Sequence, residues 1–134
     1  MYMYRFVFLT TLFVLILAFI IFAADTGSMP QSISSLYNFP YGDAVGHFLL
    51  MGLLSLLINL SLSCKRIKLA SRDFLLGNII ALLVVTLEEL SQLYLKNRSF
   101  SVLDLASSYT GILVFGYLAV PLNKSVLSVK SVSK

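Results

Sequence analysis

The feature that most constrains this chain is the run from Phe6 to Ala24, which contains no charged residue. At about 1.5 Å per residue it reaches across a hydrocarbon core of roughly 30 Å. Three more stretches of the same kind follow, at about 44–64, 74–95 and 102–123. With 58% hydrophobic and 12% charged residues, the 134-residue chain carries about half the charge of a soluble domain, for which about 25% is usual. The expected fold class is all-α: one membrane domain over 1–134, a bundle of four transmembrane helices with spans at about 6–24, 44–64, 74–95 and 102–123. The first run lacks a basic n-region beyond Arg5, and Phe22 and Ile21 are too bulky for a small-residue cleavage site, so it reads as a retained anchor.

The connector DTGSMPQSISSLYNFPYGD breaks the helical period, and its Tyr37, Phe39 and Tyr41 suit the headgroup level. Basic residues then set the orientation. With the amino terminus inside, Arg5, Lys65, Arg66, Lys68, Arg72, Lys124, Lys130 and Lys134 are all cytoplasmic, and only Lys96 and Arg98 lie outside. Both termini are therefore expected in the cytoplasm, and the net charge of +4 reads as a topology signal rather than a nucleic-acid footprint. The single cysteine, Cys64, excludes an intramolecular disulfide framework and a Cys-rich zinc site. Gly46, Gly52, Gly77, Gly111 and Gly116 would let helices approach closely. No repeat or heptad pattern is visible.

In that orientation Asp25, Asp43, Glu88, Glu89 and Asp104 gather toward the outer side, while Asp73 stays inside. Glu88 would sit about 21 Å up its helix, still in the outer third of the hydrocarbon, where an acid is costly unless it faces protein or a wet cavity. Glu89 and Gln92 share a helical face, and Glu88 points about 100° away, either snorkelling or serving another role. Asp43 and His47 stack on one face, with Asp43 also placed to cap its helix; Ser101 and Asp104 invite the same capping argument. Asp43, His47, Glu89, Gln92, Arg98 and Asp104 thus arrive at one depth from three segments and define a candidate polar binding site. Glu89 and His47 are also the candidates for acid/base work.

Those residues, in that order, resemble the VanZ-like family of small multi-span bacterial membrane proteins. The resemblance covers roughly Gly42 to Leu118. It rests on Asp-x-x-x-His in GDAVGHF, Glu-x-x-Gln in EELSQ, Arg98 in KNRSFS, and Asp104 in VLDLASSYTG followed by Gly111. The chain departs from the pattern in carrying Ala44 in place of a lysine, Lys96 and Asn97 in place of Pro-Gly, and Ser108 in place of an asparagine. The resemblance implies a multi-pass protein of the bacterial cytoplasmic membrane with a cell-envelope role of the glycopeptide-resistance kind, notably against teicoplanin.

Four mechanisms remain open at this stage. A binding protein would use Arg98 on a lipid phosphate or a lipid-linked envelope precursor, with the acids and His47 holding it. An intramembrane enzyme would pair Glu89 with His47, although no motif of independent force supports catalysis. A metal site of Asp43, His47, Glu89 and Asp104 is disfavoured by Arg98 and Lys96, so no metal and no cofactor is expected. A small transporter would have to oligomerise to gain room for alternating access, and homo-oligomerisation is left open.

Overall fold

A computed structural model describes residues 2–132, including side chains except those of Tyr2, Tyr37 and residues 127–132. Lys134 and the side chains of Tyr37 and Lys130, used above for topology and headgroup placement, lie outside the described residues.

Five α-helices and one hairpin follow in order: α1 (Tyr2–Asp25), the short α2 (Gln31–Ser34), α3 (Gly42–Ser61), β1 (Arg66–Leu69), β2 (Arg72–Leu75), α4 (Leu76–Ser91) and α5 (Val102–Val132). Four stretches within them are long and apolar enough to cross a membrane: Met3–Asp25, Gly42–Ser61, Leu76–Tyr94 and Val102–Val126. The protein is thus mostly helical, with four candidate spans. Large apolar side chains such as Phe8, Leu15, Phe22, Leu83 and Leu87 point outward, as they would toward lipid.

The connection between the second and third spans differs from the expected basic loop. Residues 66–75 form an antiparallel hairpin, so the second span stops at Ser61 and the third begins at Leu76 rather than 74. The cause is local. RIKL alternates polar and apolar residues, the pairing sets Ile67 opposite Phe74 and Lys68 opposite Asp73, and Ala70 and Ser71 both take positive φ (47° and 69°), the conformation a two-residue hairpin turn needs.

Helix α3 is central. It packs most extensively on α5, with α4 completing a three-helix core, while α1 lies chiefly along α3. The α3–α5 approach is close because both carry glycine at the crossing. A Cβ on Gly111 would collide with the Phe48 carbonyl, and one on Gly52 would lie 2.7 Å from the Phe115 ring. Phe48 and Phe115 meet edge to face at 5.8 Å. Leu17, Met51, Leu54, Ala81, Val85 and Ile112 form the apolar centre.

Toward the hairpin end lies a polar layer with no charge. Asn78 Oδ1 accepts from Ser55 Oγ at 2.9 Å and from Asn59 Nδ2 at 2.7 Å, and Ser55 Oγ also reaches the Ile112 carbonyl at 3.1 Å. Gly77 and Gly116 make room for the two asparagines, since a Cβ on either would strike an amide. Hydrogen bonds of this kind fasten helices in a medium that offers no other partner.

Candidate functional site

The charged residues segregate by end. Arg5, Lys65, Arg66, Lys68, Arg72 and Lys124 belong to the end bearing the hairpin; Asp25, Asp43, Glu88, Glu89, Lys96, Arg98 and Asp104 belong to the other. At that second end a partly open cavity of about 350 Å³ lies between α1, the start of α3, the end of α4 and the loop into α5. Its polar wall is made by Asp43, His47, Glu88, Gln92, Arg98 and Asp104, and its apolar wall by Leu17, Ile20, Ile21, Leu50 and Met51. Five of the six site residues named from sequence therefore line one cavity, and Glu88 stands where Glu89 was expected.

Glu89 is placed behind the wall. Its side chain has no exposed surface; Oε1 accepts the Ser101 backbone N–H at 2.9 Å and Oε2 accepts Gln92 Nε2 at 3.2 Å. Ser101 Oγ in turn accepts the Asp104 backbone N–H at 3.2 Å and caps α5, the role expected of it. Glu89 is thus a clamp that fixes where α5 begins. The pairing of Glu89 with His47 as acid and base is not assembled within the cavity, because His47 lines it and Glu89 does not.

Gln92 links the two acids. Its Nε2 donates to Glu88 Oε1 at 3.0 Å as well as to Glu89, which holds two neighbouring carboxylates around one amide. The chain tightens into a 3₁₀ turn over Gln92–Tyr94, and this turn keeps Gln92 buried. His47 is set by Ser108, whose fully buried Oγ lies 3.2 Å from Nδ1. Asp43 does not cap α3 as expected: the cap position is Tyr41, held at φ 63°, and Asp43 sits in the first turn, where its charge still favours the helix dipole.

Arg98 faces Asp25 at 3.7 Å and Glu88 at 3.6 Å. Both separations are those of ion pairs beyond hydrogen-bond length. No hydrogen bond from its guanidinium is formed among the described residues, so its donors are held by charge yet remain unspent. Glu88 Oε2 and Asp25 Oδ1 are buried with no hydrogen-bond partner. Asp25 was not among the site residues read from sequence, although a signal existed: a carboxylate at the last position of α1 is unfavourable against the dipole unless a cation comes to it. Asn97 adds a second tie, donating from Nδ2 to the Asp25 carbonyl at 2.9 Å. Lys96 is exposed and does not line the cavity. Among the described residues no three His, Cys, Asp or Glu side chains come together in a way that could hold a metal ion.

Compared with known proteins, the chain finds no match among family models, curated proteins or solved structures.

Proposed function

We propose that this chain is a VanZ-like integral protein of the bacterial cytoplasmic membrane that binds the polar head of an envelope lipid or lipid-linked precursor. In this reading the hairpin end is cytoplasmic and the cavity opens on the outer side, where glycopeptides and wall precursors meet. The observation that carries it is a cavity with one polar and one apolar wall, the latter supplied partly by the span α1. An amphiphile fits such a site, because its chain replaces lipid contacts while its head meets fixed polar groups. Arg98 would contact the head's phosphate with its unspent donors, and the carboxylates that face it would hold it in position. Supporting the family reading are five residues of the motif, Asp43, His47, Gln92, Arg98 and Asp104, which line that cavity.

Saturable binding of a labelled phospholipid to the purified chain in detergent tests this. A charge-assisted hydrogen bond contributes about 1.5–3 kcal/mol, so Arg98→Ala should weaken binding by roughly tenfold to a hundredfold, with Arg98→Lys intermediate. Undiminished binding by Arg98→Ala would remove the proposal. The cellular arm is teicoplanin susceptibility of a sensitive host: protection by wild type, lost with equally abundant Arg98→Ala, is the expected result.

A further inference from the structure

We infer that the head bound in this cavity is zwitterionic, a phosphate joined to an ammonium group that retains N–H donors. The inference rests on the lipid-binding reading above and names its ligand more narrowly. Three carboxylates line the cavity, those of Asp43, Glu88 and Asp104, against one guanidinium, that of Arg98. Arg98 already faces Glu88 and Asp25. Asp43 and Asp104 have no ion-pair partner among the described residues, and Glu88 Oε2 is buried without any hydrogen bond. A head carrying only negative charge would enter a space where acids outnumber the cation.

An ammonium group resolves that imbalance. It donates up to three hydrogen bonds and accepts none, so it suits carboxylate oxygens that lack donors. A bare dication would need several ligands converging on one point, which the described side chains do not provide. An ammonium can instead take acceptors singly from the carboxylates of Asp43, Glu88 and Asp104 that line the cavity. The phosphate then lies toward Arg98 and the acyl chains along Leu17, Ile20, Leu50 and Met51. A quaternary ammonium, which has no N–H, cannot donate a hydrogen bond to these carboxylates.

The test is a head-group series on the full wild-type chain, reading displacement of one spin-labelled lipid by phosphatidylethanolamine, phosphatidylglycerol and phosphatidylcholine of matched acyl chains. Phosphatidylethanolamine should compete about tenfold better than either other lipid, as one additional charge-assisted contact implies. Soluble phosphoethanolamine, added as a separate arm, should compete only weakly, because it lacks the chains. Asp43→Asn with Asp104→Asn should reduce the preference toward unity. If phosphatidylglycerol competes as well as phosphatidylethanolamine, and Arg98→Ala weakens both, the zwitterionic assignment is overturned while lipid binding stands. If no lipid competes, both are overturned. A preference unchanged in the double variant would also overturn it, and should that variant fail to fold, the wild-type series alone decides.

Discussion

Two polar regions share one bundle and are built on opposite plans. The layer of Ser55, Asn59 and Asn78 is neutral and close-packed, with a glycine opposite each amide. The wall of Asp43, Glu88, Arg98 and Asp104 is charged, lines a cavity, and leaves a carboxylate oxygen and a guanidinium with hydrogen-bonding capacity unspent. Polar groups that fasten helices need partners within the fold, since lipid supplies none. Polar groups that bind something else must keep capacity in reserve. Burial alone does not separate the two, because Glu89 is as buried as Asn59, and an unspent acceptor does not either, because Asn59 Oδ1 is also buried without a hydrogen-bond partner; the presence of a cavity does.

The sharpest way to break this contrast is to overfill the neutral layer. Gly116→Ala drives a methyl onto Asn78 Oδ1 and disturbs the acceptor of both Ser55 and Asn59. Overpacking of this kind costs about 1–3 kcal/mol, and the lost interhelical hydrogen bonds add up to about 1–2 kcal/mol. The expected outcome is a large fall in the midpoint of detergent thermal unfolding, with lipid preference kept in the fraction that remains folded. A variant that melts with the wild type would show that the layer is not holding the helices.

A smaller effect separates the adjacent glutamates. Glu89→Gln replaces a carboxylate that accepts from Ser101 and Gln92, and at least one of the two contacts then sets an amide N–H against a donor. A buried donor left without its acceptor costs about 1–3 kcal/mol, so stability should fall and the start of α5 should exchange amide protons faster. Glu88→Gln should change stability by less than about 1 kcal/mol, because its ion pair with Arg98 is long and its second oxygen has no partner. Its effect should appear in lipid competition instead. Unfolding curves and competition on both variants check this, and exchanged phenotypes would reverse the assignment of clamp and cavity wall.

Much of this organisation was legible from hydropathy and charge placement, because spans of this length tolerate few other readings. The depth shared by Asp43, His47, Gln92, Arg98 and Asp104 was legible for the same reason. The choice between Glu88 and Glu89 was not. It is set by the 3₁₀ turn at Gln92–Tyr94 and by the chain's return at Ser101, neither of which helical periodicity contains. Ser55, Asn59 and Asn78 were invisible because three uncharged residues scarcely interrupt an apolar run. The hairpin was hidden by its shortness: two four-residue strands present too few alternations to stand out beside a basic cluster.

The smallest expected effect concerns Cys64, the only cysteine, half-buried beside the hairpin. Burial raises its thiol pKa above the ordinary value, and Arg66 lowers it in part. A raised pKa means less thiolate at neutral pH, so modification by a maleimide should be slower than for an unfolded chain and should accelerate by about tenfold per pH unit below that pKa. The same thiol reports orientation without any substitution. With the hairpin cytoplasmic as proposed, a membrane-impermeant maleimide should leave intact cells unlabelled and label inverted vesicles. Labelling from outside would turn the cavity toward the cytoplasm. The acidic wall could then still bind an amine-bearing lipid head, but the link to wall precursors and glycopeptides would be lost, since that link depends on which side the cavity opens.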